Sequence, residues 1–572
     1  MLLALAAPSA RADWDYANIA TGDAVDAYTS EVSVLPGGTL HFHVSTAPAA
    51  PYRIELYRLG PWSGAAPERV ACVPSCTRTS AGVPRAKPAP DAATGAVRAN
   101  WPVTNSFAVP RSWPSGYYVA KVVLQRGAQA LSGKLVPFIV RAPSSSTSSI
   151  LVVAAANTWQ AYNNWGGTSL YEPRTHAVKA SFDRPYESVR VGGQSLFDWE
   201  LPLARFIESQ GYDVTYTTDV DVDRDPASLA GHDLVVVAGH SEYWTTGERS
   251  ALEAARDSGV NLFFAGANSG YWHVRYEDGG RTIVGYKNQS QGPYGPDPQA
   301  GTAEETTFFR SLHPARPECT LIGIASDGGL TDPPGFDRFV SNAALGHAWF
   351  AGTGFGPGAS LPRSVGYEWD QVIRGCTPPL AAGTSQTVLF HTDASGTNGI
   401  SQNDSAAYTA PSGARVFAAG TFEFAWGLDG YGLNASPGRQ PPDPRLQQFA
   451  RNMLRDLAGA APGALRSVKS PGSFSVTRAT RRGIPISVSV RIPGATVSIK
   501  LLGGKGSRKT LRLASTRGIA RIGGGVSVKP KISRRAARRL GRGRRSTAIL
   551  SVTVTAPTDA KQTVQRRLVL KR

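Results

Sequence analysis

The chain is short of cysteine, of charge and of long apolar runs, and each shortage excludes something. Four cysteines occur in 572 residues. Cys72 and Cys76 are near neighbours, Cys319 and Cys376 lie far away, and four cysteines allow three pairings. Pairing Cys72 with Cys76 and Cys319 with Cys376 keeps each bond inside one domain. There is no C-x-x-C, and the C-x3-C has no histidine or second cysteine pair beside it, which argues against zinc. No apolar run approaches the ~20 residues of a membrane helix, so no transmembrane segment is expected. Charged residues are 18% of the chain and tryptophans number 12, a globular rather than a disordered composition. No G-x-S-x-G elbow is present. No helix-turn-helix, zinc-finger or RNA-recognition signature appears either, so specific nucleic-acid binding is not expected. Asp219-Val220-Asp221-Val222-Asp223 opens like a calcium loop, but Arg224 and Ala230 replace its Gly and Glu. It reads as a solvated turn, with Asp225-Pro226 opening a helix. The glycine-rich stretch 352–358 lacks the strand–helix setting of a phosphate loop.

Acid is nearly missing from one end. Residues 466–572 hold 27 of the 61 Lys and Arg and a single acid, Asp559, so the remainder of this +19 chain carries about −7. A basic surface such as Arg534, Arg535, Arg538 and Arg539, continued by Arg542, Arg544 and Arg545, binds polyanions through charge, with steep salt dependence. At the other end, residues 1–12 have an apolar stretch and an Ala10-Arg11-Ala12 site and read as a signal remnant. The protein is therefore expected to be secreted or held at the cell surface, and the polyanion to be an acidic cell-wall or extracellular polymer.

Periodicity divides the rest. Residues 13–142 read as an Ig-like β-sandwich, with largely alternating strands near 31–35, 39–45, 53–59 and 117–124. His41 and His43 share a strand face but lack a third ligand, and read as surface residues. After the Pro-Ser linker at 142–149 the pattern changes. Short apolar strands at 150–155, 213–217, 234–238 and 261–265 alternate with amphipathic helices near 197–209 and 246–258. That alternation predicts a doubly wound, largely parallel α/β sheet, with flavodoxin- or glutamine-amidotransferase-like layering, over 148–460. A helix near 444–458 closes it. Strands near 486–492, 495–502, 549–556 and 563–570 predict a basic C-terminal β-sandwich over 466–572.

Three strands of the α/β domain end in polar and aromatic loops, where such sheets place ligands. The first is Asn157-Thr158-Trp159-Gln160-Ala161-Tyr162-Asn163-Asn164-Trp165. The second is Gly239-His240-Ser241-Glu242-Tyr243-Trp244. The third is Ala267-Asn268-Ser269-Gly270-Tyr271-Trp272. Within and beside these loops, Thr158 to Gly167, Gly239 to Trp244 and Gly266-Ala267-Asn268, with Ser181-Phe182-Asp183-Arg184-Pro185-Tyr186 and, in the sandwich, Ser33-Val34-Leu35-Pro36-Gly37 and Tyr57-Arg58-Leu59-Gly60, resemble the large subunit of N,N-dimethylformamidase over roughly residues 25–458. The resemblance implies hydrolysis of a small linear amide at a mononuclear Fe(III) held by two tyrosinates and a glutamate. The glutamate maps to Glu242 and one tyrosine to Tyr162. The other lies in Ser115-Gly116-Tyr117-Tyr118, with Tyr118 favoured and Tyr117 open. His240, Asn268, Glu368 and, more loosely, Lys287 map to the remaining catalytic positions. Phenolate and carboxylate are hard anionic ligands suited to Fe(III). Glu368 is expected to act as general base on water, with His240 and Asn268 donating to the carbonyl oxygen. The resemblance implies a small companion subunit, and the family enzyme's further N-terminal lectin-like domain is not expected in this chain. Two rivals stand beside this reading. One is a non-catalytic binder of glycan or wall polymer, the other a hydrolase of unknown substrate using another metal or none.

Overall fold

The computed structural model describes residues 18–61, 67–171, 176–187, 195–287, 294–396, 399–432, 439–461, 463, 465–491, 495–503, 511–520, 525–539, 545–555 and 561–571. The expected signal remnant at 1–12, and Arg542 and Arg544 of the basic cluster, lie outside these residues. Strand predominates over helix. The chain forms two compact units, one of Met1–Leu59, Arg69–Arg205 and Val214–Gly459, the other of Gly60–Glu68, Phe206–Asp213 and Ala460–Arg572.

The first unit opens with two sheets. Asp26–Thr29, Thr39–Ser45 and Asn105–Ala108 form one; Ser33–Val34, Gly133–Val140, Gly116–Leu124 and Tyr52–Arg58 belong to a five-stranded second. Side chains of a strand alternate between faces. Leu40, Phe42 and Val44 from one sheet therefore meet Ile54, Leu56, Tyr118, Ala120 and Phe138 from the other in a shared core, which makes a sandwich. His43 is not the surface residue expected. It is 8% exposed, bonds the Trp101 carbonyl through Nδ1 at 2.6 Å and stacks on Tyr28 at 4.4 Å.

The rest of this unit is organised by a nine-stranded sheet. Val214–Thr218, Ile150–Ala154, Leu234–Val237, Asn261–Phe264 and Arg415–Ala418 pair parallel in that order. Their apolar, often β-branched runs suit strands buried on both faces. Gly399–Thr409, Thr387–Gly396, Ala325–Val340 and Ser360–Gln371 then continue the sheet antiparallel. The sheet is thus mixed, and the largely parallel pairing expected holds over its first five strands. Helix Thr246–Asp257 begins where the Thr245 hydroxyl accepts from Glu248 N, and Asp443 caps Pro444–Leu457 in the same way, each satisfying an orphan amide. Asp219 is not in a solvated turn: Asp219–Arg224 is a helical turn capped by Thr218, and Asp219 is 1% exposed.

The sandwich and the sheet are tied by polar contacts. Ser115 Oγ accepts from Tyr216 N at 2.8 Å, and Trp165 Nε1 donates to Asp26 at 3.1 Å. Both expected disulfides form, Cys72–Cys76 and Cys319–Cys376. The second spans 57 residues, so its double serine variant is expected to lose about 3–4 kcal/mol of stability. Urea unfolding measures this; an unchanged midpoint would contradict it.

In the second unit, Leu465–Lys469, Ile486–Val490 and Gly525–Val528 form one sheet, and Ser473–Ser475, Lys561–Lys571, Arg545–Thr555, Thr496–Gly503 and Leu511–Ile519 another. Ile486, Val488, Val497, Ile499, Leu550 and Val552 share one core. Arg534–Arg539 is helical, with Ala536 turned inward and Arg534, Arg535 and Arg538 exposed.

Candidate functional site

Parallel strands present their carboxyl ends to one edge of a sheet, and four of them here release loops that meet. The loop after Leu234–Val237 and the loop after Asn261–Phe264 pass backbone against backbone. A Cβ on Gly266 would lie 2.0 Å from the Gly239 carbonyl oxygen, so only glycine fits there. Helix Ala156–Ala161 follows Ile150–Ala154 and ends at Tyr162. Its Thr158 hydroxyl accepts from Glu242 N at 3.1 Å, joining two of the loops.

Five side chains converge at this junction. Tyr162 donates its hydroxyl to Glu242 Oε2 at 2.8 Å. His240 Nε2 lies 3.2 Å from Glu242 Oε2 and 3.5 Å from Glu368 Oε2, aligned with neither as a hydrogen bond. Asn268 Nδ2 donates to Glu368, and Asn268 N donates to Asp370 at 3.0 Å. Asn268 adopts φ +51°, a left-handed conformation that Asn tolerates better than most residues and that often marks functional sites. Glu368 and Asp370 come from the antiparallel edge strand Ser360–Gln371. That strand curls back over the parallel half, with Asp370 N donating to Gly420 O at 2.9 Å and Trp369 bridging Thr421. His240, Glu242 and Glu368 are each at most 3% exposed.

Lys287 stands beside this group. Its Nζ donates to Tyr243 OH at 2.9 Å and to Leu170 O at 3.2 Å, and it lies 4.7 Å over the Trp272 ring. Aromatic rings line the rest: Tyr171 packs 4.5 Å from Tyr162, and Phe422 and Trp199 pack 4.3 and 5.9 Å from His240. Phe422 follows the strand Arg415–Ala418. The strand-end rule that singled out the other three loops applies to it equally, and the sequence reading passed it over.

Burial sets the proton affinities. It pushes the Glu368 carboxyl up to about 7, with Glu242 and Asp370 adding repulsion and His240 opposing it. The same burial pushes the Lys287 ammonium down to about 8, against the pull of Glu242 and Glu368. Burial works to raise the Glu242 carboxyl too, but the His240 imidazole overcomes it and holds Glu242 below the ordinary range. His240 is raised correspondingly: burial disfavours its charge, and the facing Glu242 and Glu368 outweigh that. Tyr162 is driven well above the usual phenol, by burial first and Glu242 second.

Tyr118 is not brought to this cluster. It faces the sandwich core, stacked on Trp113 at 5.0 Å and near Phe138 at 5.5 Å, with its hydroxyl donating to Pro114 O at 2.9 Å. Alternation turns Tyr117 the other way, and its hydroxyl donates to Glu200 Oε2 at 2.8 Å. Glu200 also accepts from Trp159 Nε1 at 2.6 Å, so Tyr117 reaches the wall behind the Tyr162 helix. Among the described residues no group of three or more His, Cys, Asp or Glu side chains is placed to hold a metal ion.

A family model described as N,N-dimethylformamidase beta subunit-like, C-terminal, matches residues 53–438. That span runs from inside the sandwich to beyond the Phe422 loop and includes every residue of the junction. No curated protein matches the chain. Among solved structures, murine CRIg aligns at 18% identity over 18% of this chain and 95% of its own, with a TM-score of 0.13. The soluble domain of PmoD from Methylocystis aligns at 9% identity over 19% and 98%, also with 0.13. A tetra-tandem repeat from the extending region of a large adhesion protein aligns at 10% identity over 96% and 74%, with 0.17. Likenesses this slight carry no argument about the fold. The family match covers well over half of the chain, and the chain belongs to the N,N-dimethylformamidase beta subunit-like family.

Proposed function

We propose that the protein is an exported, iron-dependent amidohydrolase that cleaves the C–N bond of a small linear amide, and that its α/β domain is of the doubly wound type. The observation that supports this best is the buried junction itself, in which Tyr162, Glu242, His240, Asn268 and Glu368 meet at the carboxyl ends of parallel strands. An Fe(III) ion fits two of the three donors expected. Tyr162 and Glu242 present oxygens 2.8 Å apart, and His240 Nε2 and Asn268 Oδ1 are buried beside them without hydrogen-bond partners. Tyr118 does not fit, because it belongs to the sandwich core. A ferric ion held by Tyr162 and Glu242 would supply Lewis-acid polarisation of the amide carbonyl and an acidified water.

The protein's own groups do the remaining work. Glu368 takes a proton from the attacking water. Asn268 Nδ2 holds the Glu368 carboxylate in place. His240 donates to the carbonyl oxygen as negative charge develops on it. Lys287 holds Tyr243 and sets a positive charge near both carboxylates. The rings of Phe422, Trp199, Tyr171 and Trp272 pack around these groups and keep water from them. A companion subunit agrees with the family's being that of an enzyme subunit. The exposed Arg534, Arg535 and Arg538 suit an acidic wall polymer.

The test is metal content and a visible spectrum on protein purified without chelator, followed by turnover of N,N-dimethylformamide and related amides. About one iron per chain with a tyrosinate absorption band is expected; a colourless protein that takes up no iron anaerobically would sink the proposal. Glu368→Gln should keep the iron and the band yet lose about a hundredfold to ten-thousandfold in turnover. Loss of iron in that variant would move Glu368 from base to ligand.

A further inference from the structure

The five-stranded sheet of the second unit buries one face and leaves the other open. Residues along a strand alternate between faces, and residues opposed across an antiparallel pair share one. Val497, Ile499, Leu550, Val552 and Leu568 therefore point into the core. On the other face the register sets Thr496 beside Thr555, Ser498 beside Thr553, and Thr553 beside Thr563. The Thr553 and Thr563 hydroxyls lie 2.8 Å apart. Ser551 extends this field, between Lys500 and Gln565. Hydroxyls thus occupy the middle of the face, and cations stand toward its margins. Lys561 and Arg567 lie on one flanking strand, about 20 Å apart at the usual rise. Arg517 lies on the strand at the opposite edge, about 14 Å away across three strand spacings, and Lys500 is one strand inward of it. All four are exposed. No acid answers them, because the described residues of 466–572 include none.

This composition discriminates among polyanions. Phe474 is the one aromatic residue of 466–572 and packs against the core, so an unpaired base finds nothing to stack on. A nucleic acid duplex carries one charge per about 1.7 Å and calls for cations throughout its footprint. Here hydroxyls fill the space between them. We propose that this face binds a linear acidic polysaccharide. Its carboxylates meet the marginal cations, and its hydroxyls exchange hydrogen bonds with the Ser and Thr rows, each of which can donate and accept. Ile549, opposite Arg567 and 40% exposed, offers an apolar contact to the C–H side of a sugar ring. The inference rests on the reading of the basic unit as the binder of an acidic polymer, and moves the centre of that contact from helix Arg534–Arg539 to the sheet.

Polygalacturonate, its fully methyl-esterified form, inorganic polyphosphate and single-stranded DNA are titrated into the full chain by calorimetry, in about 0.15 M salt to screen exposed charge. Polygalacturonate combines charge with hydroxyls; its ester keeps the hydroxyls alone and polyphosphate the charge alone. Polygalacturonate is expected to bind at least about tenfold tighter than any of the others. Thr553→Val with Thr563→Val keeps the β-branched shape and every charge. It should weaken polygalacturonate about tenfold and leave polyphosphate within about twofold. Undiminished polygalacturonate binding in this variant would overturn the inference. A loss instead on joint Arg534→Gln, Arg535→Gln and Arg538→Gln substitution would keep the polymer but place it on the helix. Tighter binding of polyphosphate or DNA by the native chain would also overturn the inference, as would absence of polygalacturonate binding. If no polyanion binds at all, the polymer reading beneath it falls as well. Should the threonine pair not fold, Lys500→Gln with Arg517→Gln decides. Polygalacturonate should again weaken about tenfold, and unchanged binding would count against the face.

Discussion

Tyr162→Phe is expected to remove iron, the visible absorption band and amide turnover together, with a rate loss of about a thousandfold or more. The substitution deletes one oxygen. The ring keeps its packing against Tyr171, His240 and Tyr243, at 4.5, 5.4 and 6.2 Å. What disappears is the donor to Glu242 and, with a trivalent cation bound, one of the hard anionic ligands that would neutralise it. The cost to folding is that of one buried hydrogen bond, about 1–2 kcal/mol, so the variant should remain folded and thermal melting should show a modest fall. Glu242→Gln gives the companion result. It retains the size of the side chain but leaves the His240 imidazole without its nearest counter-charge, so turnover and iron should fall as far as in Tyr162→Phe. The pair is decisive because the rival readings part here. A glycan or polymer binder loses little in either variant. A hydrolase that uses no metal loses rate in Glu242→Gln but keeps much of it in Tyr162→Phe.

The strand-end loops were legible because their signal is local. An apolar run such as Leu234–Val237 followed by His240 and Glu242 announces both the strand and the cargo at its end. Glu368 was reached by family resemblance alone. Its strand packs against the site only because the antiparallel half of the sheet curls back to Thr421, a contact no local pattern encodes. That half was itself hard to read: Pro333 and Pro334 lie within Ala325–Val340, and prolines argue against a strand. The choice between Tyr117 and Tyr118 was not legible for a different reason. Both faces of Gly116–Leu124 are buried, one in the sandwich core and one toward Tyr216 and Glu200. Alternation therefore separates the two tyrosines without saying which side is which. Asp219 misled because a run of alternating aspartates reads as solvated, whereas here a helical turn and the Asn157 amide bury it.

Asp297→Asn is expected to cost about 2 kcal/mol at neutral pH, and the cost should vanish in acid. Asp297 gathers five donors. Arg275 approaches its two oxygens at 2.8 Å each, Thr306 donates through N at 2.8 Å and through Oγ1 at 2.5 Å, and Gln299 N donates at 2.9 Å. Burial acts to raise this carboxyl, but the Arg275 and Thr306 donors prevail and hold it at about 2, against an ordinary 3.8. The sign follows from that order. The folded state binds the proton more weakly than the unfolded one, so the stabilisation is complete above about pH 4–5 and is lost as pH falls through 3.8 toward 2. The shift amounts to about 2 kcal/mol. Urea midpoints for native protein and variant should therefore stay a constant distance apart from pH 7 to about 5 and converge below about 4. A gap still at its full width at pH 3 would show that the loss arises from packing and not from charge. The consequence reaches the site through the backbone. Thr306 Oγ1 also accepts from Tyr286 N, and Thr306 O accepts from Lys287 N, both at 2.8 Å. Lys287 is held at φ +58° between these bonds and the Tyr243 hydroxyl, so loosening Asp297 frees a residue that, beside His240, brings positive charge to the Glu242 side of the junction. Turnover in Asp297→Asn should accordingly fall by about tenfold while the iron content stays that of the native chain, a split that simple unfolding would not produce.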